Sequence, residues 1–134
     1  MRSLRRIDHV GVVVENLEAA RALLEGEFAL ELDREIDNDD LRAVFLRCGD
    51  AAIELIQMKD AARNRERLKG ENPARIEHIA LEVSSLAAAL PALEALGIAV
   101  TVPPQRAAAY TSVWTRSDTS GGVMFQFTEK EGVS

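Results

Sequence analysis

The sequence predicts an α+β fold built from two βαβββ modules that pack as one domain. Three observations predict it. A stretch near the start of the chain recurs 69 residues later, with the only two histidines in register. Each copy is followed by a helix-capping residue, a helical run and three strand-like runs. A charged segment that belongs to neither copy separates them.

The repeat pairs Ile7-Asp8-His9-Val10-Gly11-Val12-Val13-Val14 with Ile76-Glu77-His78-Ile79-Ala80-Leu81-Glu82-Val83. It continues through Leu17, Ala19 and Ala20 into Leu86, Ala88 and Ala89. Module one spans about 5–58, the linker about 59–73 and module two about 74–129. In module one, residues 5–15 are rich in β-branched side chains and read as a strand. Asn16 is placed to cap a helix over Leu17 to Phe28, where apolar residues follow the helical period. Strands follow at about 30–36, 41–48 and 51–58, with turns at Asp37-Asn38-Asp39-Asp40 and Gly49-Asp50. The linker is strongly charged and reads as solvated and partly helical. In module two a strand covers about 74–83, Ser84 and Ser85 open a helix that contains Pro91, and Gly97 closes it. Strands are expected near 98–102, 111–116 and 123–128. One module alone would leave an apolar sheet face bare, so the two belong together.

Composition narrows the function. The chain has 134 residues, 47% hydrophobic and 28% charged, which suits one globular domain. Sixteen Lys and Arg stand against 22 Asp and Glu, a net charge of -6, which argues against nucleic acid. Aromatic residues at 4% argue against a base-stacking platform. The longest apolar runs fall short of a membrane span, and no signal-peptide pattern follows Arg2, Arg5 and Arg6. Cys48 is the sole cysteine, so no internal disulfide or multi-cysteine zinc site is expected, and a cytoplasmic location is. Before a turn, Cys48 reads as structural rather than nucleophilic.

Alternation along the strands picks out four polar side chains. Val10, Val12 and Val14 share one face of the first strand and should meet a helix; His9 lies on the other. His78 is placed likewise in the repeat. The last strand of each module also carries a polar residue between apolar ones: Glu54 between Ile53 and Leu55, and Gln126 between Phe125 and Phe127. A pseudo-twofold would bring His9, Glu54, His78 and Gln126 to one point. Two imidazoles, a carboxylate and an amide oxygen would suit a divalent first-row metal with positions left for water or substrate. Each residue taken alone has a plainer reading, as a satisfied core histidine or a solvent-face polar group. Their repeated placement favours the site. Glu82 shares the His78 face, and Gln57 points away from Glu54.

These segments resemble the vicinal oxygen chelate superfamily (glyoxalase, bleomycin resistance and dioxygenase proteins), and most closely its methylmalonyl-CoA epimerases. Val44 to Leu55 resembles their third and fourth strands, and Thr119 to Phe127 their Gly-Gly turn and final strand. The resemblance implies a cupped, pseudo-twofold mixed sheet around a divalent ion (Co, Mn, Zn, Ni or Mg) held by His9, Glu54, His78 and Gln126. It implies a metal-dependent isomerase that stabilises an enolate of a small substrate, such as an acyl-CoA, and a homodimer. Glu54 and Gln126 are the implied catalytic positions. The sequence departs from the pattern twice. Gln126 stands where the epimerases usually have a glutamate, so acid and amide would be exchanged between the halves. Asn38 stands where they carry a second base, with Asp37, Asp39 and Asp40 beside it. A metal-free binding or resistance protein, with Tyr110, Trp114 and Phe125 lining a cleft, and another lyase, isomerase or dioxygenase of the superfamily are the alternatives. Arg42, Arg47, Arg106 and Arg116 are candidate contacts for a CoA phosphate.

Overall fold

The computed structural model describes residues 3–132. The elements run β1 (Leu4–Val14), α1 (Leu17–Arg21), β2 (Glu31–Asp37), β3 (Leu41–Cys48), β4 (Ala51–Met58), α2 (Ala61–Leu68), β5 (Ala74–Val83), α3 (Leu86–Ala95), β6 (Gln105–Ala107), β7 (Tyr110–Trp114) and β8 (Met124–Lys130). The chain divides into two compact units: His9–Glu77, and Met1–Asp8 with His78–Ser134. Both units mix parallel and antiparallel strand pairs, and the protein is α+β, as the repeat predicts. No helix among the described residues is long and apolar enough to cross a membrane.

In the unit His9–Glu77, β1 runs parallel to β4, β4 antiparallel to β3, and β3 antiparallel to β2. Asn16 caps α1 as expected, its Oδ1 accepting the Ala19 N–H at 3.0 Å. Gln57 also serves this end, accepting the Leu17 N–H at 2.8 Å, and so points to the helix side of β4. Val14, Leu17, Val44, Leu46 and Leu55 form the core, with Val12 and Leu24 against it. Burying each such side chain fully is worth roughly 1.5–3 kcal/mol. This core consumes one face of β1, β3 and β4 and leaves the face of His9, Phe45 and Glu54 for other work. The helix predicted to reach Phe28 changes character after Arg21. Residues Ala22–Glu27 form a π-helix, with the Phe28 N–H donating to the Leu23 carbonyl at 2.9 Å. Gly26 is a poor helix former inside this stretch, and Ala29 at φ 59° turns the chain out of it.

The linker is less solvated than its charge suggests. Asp60 caps α2, and Asn64 and Leu68 are buried. The Asn64 side chain accepts from the Met58 N–H and donates to the Val14 carbonyl, both at 2.9 Å. It thereby ties α2 to the ends of β4 and β1. Arg67 donates to Glu77 at 2.8 Å through Nε. Burial draws the Arg67 guanidinium downward, but the hydrogen bonds and charge of Glu77 outweigh it and hold the group above its ordinary value.

In the other unit β5 runs parallel to β8, β8 antiparallel to β7, and β7 antiparallel to β6. Ser85 caps α3, accepting the Ala88 N–H at 3.1 Å, and Gly97 at φ 75° closes it. Pro91 lies inside α3, where it can donate no backbone hydrogen bond. Val83, Leu86, Ala89, Leu93, Val113 and Phe127 form the core. The strand expected near 98–102 is absent. A single bridge joins Val100 to Thr115, and the strand proper is Gln105–Ala107. Pro103 and Pro104 lack the N–H that a ladder requires, so the regular strand begins only after them.

Candidate functional site

Register places the site residues identically in both units. In the first, His9 pairs with Ala52 and Gly11 with Glu54 across the parallel β1–β4 ladder. In the second, His78 pairs with Met124 and Ala80 with Gln126 across β5–β8. Each histidine therefore has its polar partner one same-face step along the neighbouring strand. The residue directly opposite that partner is small, Gly11 or Ala80. A small residue there leaves the space above it to the longer side chain.

In the first unit His9 Nε2 lies 3.2 Å from Glu54 Oε1. His9 is 3% and Glu54 8% exposed. A carboxylate this deep is costly without a compensating partner. Phe45, opposite Glu54 on β3, presents its ring to His9 in an edge-on contact with centroids 5.1 Å apart. Arg34, opposite Phe45 on β2, stacks over the same ring at 3.9 Å.

In the second unit His78 is 3% and Gln126 8% exposed. The Gln126 Nε2 donates to Ser112 Oγ at 3.0 Å. Ser112 in turn donates to Thr128 Oγ1 at 2.9 Å. Trp114 stands opposite Gln126 as Phe45 stands opposite Glu54. Alternation along the strands points to the four candidate residues and puts Thr128 on the Gln126 face of β8, but it passes over Phe45, Arg34 and Ser112. Only the register of β2, β3 and β7 brings those three beside the candidate residues.

The remaining candidates are engaged elsewhere. Asn38 Oδ1 accepts the N–H groups of Asp40 and Leu41 at 2.9 and 3.0 Å, so its amide builds the β2–β3 turn. Asp37 accepts from Lys59 Nζ at 2.6 Å, and that hydrogen bond holds its carboxyl below the usual range. Glu82 is buried, with Arg5 and Arg6 each 3.5 Å from its carboxylate. Arg42 pairs with Glu18, Arg47 with Asp33, Arg106 with Glu131 and Arg116 with Asp118. Each candidate CoA contact thus already has a carboxylate. Cys48 is exposed at the end of β3 and takes no part in the core.

Comparison with known proteins identifies the family. Residues 8–114 match the glyoxalase/bleomycin resistance protein/dioxygenase superfamily. The chain belongs to that superfamily. Among solved structures it is similar to methylmalonyl-CoA epimerase from Mycobacterium tuberculosis, at 23% identity and a TM-score of 0.85, covering 96% of this chain and 89% of that one. It is also similar to a methylmalonyl-CoA epimerase in complex with methylmalonyl-CoA and NH4+, at 21% identity and a TM-score of 0.83, covering 98% and 99%. A Streptomyces coelicolor methylmalonyl-CoA epimerase variant in complex with 2-nitronate-propionyl-CoA gives the same identity, TM-score and coverage. At these identities the likeness shows the glyoxalase-like fold. No curated protein matches the chain.

Proposed function

We propose that this superfamily member is a divalent-metal-dependent enzyme that moves a proton at the carbon alpha to an acyl-CoA thioester, through an enolate. His9, Glu54, His78 and Gln126 are the metal ligands in this reading, and Glu54 also carries the proton. The observation that carries it is the buried His9–Glu54 pair, whose register recurs at His78 and Gln126. Two atoms bound to one ion at about 2.0–2.2 Å sit about 3 Å apart, and the 3.2 Å between Nε2 and Oε1 suits that. Among the described residues, His9, Glu54 and His78 are the buried set of metal-ligating type. The acyl-CoA class is taken from the names of the similar structures.

A bound divalent ion would supply Lewis-acid stabilisation of the charge that develops on the thioester oxygen. The side chains supply the rest. Ionised Glu54 can accept the proton from carbon and return it. Gln126 offers an oxygen but no charge, and it cannot take a proton. Phe45 packs perpendicular to the His9 ring and adds to its burial. Arg34 holds a cation over Phe45, where an anionic substrate group would be drawn. Asn38 is spent on its turn and Asp37 on Lys59, so neither serves as a second base. One carboxylate favours removal and return of the proton on a single face, an isomerisation or glyoxalase-type transfer, over two-base epimerisation. A Co, Mn, Zn, Ni or Mg ion, a homodimer and a cytoplasmic location belong to the same reading.

The test is exchange in D2O with methylmalonyl-CoA and other acyl-CoA esters, with Co2+ added. The expected result is deuterium at the alpha carbon, with the rate falling about 10²–10⁴-fold in Glu54→Gln. Exchange that survives Glu54→Gln at full rate, or none with any ester, contradicts the reading.

A further inference from the structure

We infer that Ser112 and Thr128 are positioning residues that hold side chain 126 as an amide and present its oxygen. This rests on the metal reading above for what the oxygen meets, but not for the orientation itself. The geometry is directional. The Ser112 hydroxyl proton goes to Thr128 Oγ1 at 2.9 Å. What Ser112 turns toward residue 126 is therefore a lone pair, and Gln126 Nε2 fills it at 3.0 Å. With Nε2 anchored there, Oε1 is the end left to serve as a ligand. A glutamate at this position would set a carboxylate oxygen against that lone pair. It could be accommodated only by turning the Ser112 proton to the carboxylate, with the Thr128 hydroxyl then donating to Ser112, a reversal of both buried bonds.

The first unit lacks this device where it carries the acid. Ser112 and Thr128 face each other across β7 and β8, one same-face step beyond the Trp114–Gln126 pair. The corresponding pair beyond Phe45–Glu54 is Ala43 and Ile56, which has no side-chain hydrogen-bonding group. Hydroxyls accompany the amide and hydrocarbon accompanies the carboxylate. The exchange of acid and amide between the halves is thus built into the surrounding side chains of this chain. In this inference Gln126 is a fitted neutral ligand.

Two measurements test this on the intact protein. The first uses metal-free protein and follows the Gln126 side-chain NH2 by nitrogen-edited NMR. The expected result is a resolved, exchange-protected pair in the wild type, lost in Ser112→Ala and kept in Ser112→Thr. The second titrates Co2+ against a chromophoric chelator. Ser112→Ala is expected to weaken binding about 10–100-fold, as loss of a ligand's orienting partner does, while Ser112→Thr stays close to wild type. In the Gln126→Glu background Ser112→Ala should cost less, because Ser112 can meet a carboxylate only after its bond with Thr128 has reversed. A merely structural serine would give equal losses in both backgrounds. An unprotected NH2 in the wild type overturns the inference, as does unchanged Co2+ affinity in Ser112→Ala. Protection without any Co2+ binding would overturn the metal reading and the ligand role of Oε1, and would support the amide lock alone.

Discussion

The two units set the same backbone frame around different chemistry. In each, a histidine lies on a strand whose parallel neighbour carries the polar partner one same-face step along, opposite a small residue. In each, an aromatic side chain stands across from that partner, Phe45 in one and Trp114 in the other. The difference lies one pair further. Ala43 and Ile56 flank the carboxylate, and Ser112 and Thr128 flank the amide. Backbone register decides where a functional atom sits, whereas the side chains around it decide its charge and orientation. A repeat can therefore keep its geometry while the chemistry of its halves differs, and in the proposed function one half supplies the proton carrier and the other a neutral ligand.

The sharpest way to break this comparison is at the histidines. His9→Ala and His78→Ala should each abolish Co2+ binding in a chelator titration while the far-UV CD spectrum stays folded. If one variant binds normally, the two units are not equivalent partners. Next in size are the cores. Leu46→Ala in the first unit and Leu93→Ala in the second remove buried side chains and should each cost about 2–5 kcal/mol in urea unfolding. The helix caps come third. Asn16→Ala and Ser85→Ala should each cost about 0.5–2 kcal/mol, since each side chain satisfies a first-turn N–H.

The smallest effect concerns pH. The hydrogen bond from Lys59 depresses the Asp37 carboxyl in the folded state. Its stabilisation is therefore present above the unfolded carboxyl value and is lost as pH falls through the folded one. Asp37→Asn should slightly flatten the acid limb of a Tm-versus-pH curve, and added salt should shrink even that, because the pair is exposed.

Much of this architecture was legible in the sequence because the repeat and strand alternation are both periodic signals. The faces of His9 and Glu54, the Asn16 and Ser85 caps and the aim of Gln57 away from Glu54 all follow from alternation and capping rules. Three features did not follow. The π-helical end of the first helix depends on how Gly26 and Ala29 let the chain turn, which the apolar period does not encode. The strand expected at 98–102 gives way to one at Gln105–Ala107 because Pro103 and Pro104 lack the N–H that a ladder requires, which the apolar pattern does not register. The burial of Asn64 was hidden by the charges around it. At the candidate site, the repeated placement of the four polar residues is readable from the sequence, and alternation adds Thr128, but Arg34, Phe45 and Ser112 are not. Their significance comes from cross-strand register, which pairs residues far apart in the chain.

The most direct test of the metal reading is the ion content of protein purified without chelator or nickel affinity and then equilibrated with Co2+ or Mn2+. The account predicts about one divalent ion per chain, bound tightly in the wild type and lost in His9→Ala. A wild-type protein that retains no ion under either condition would contradict it.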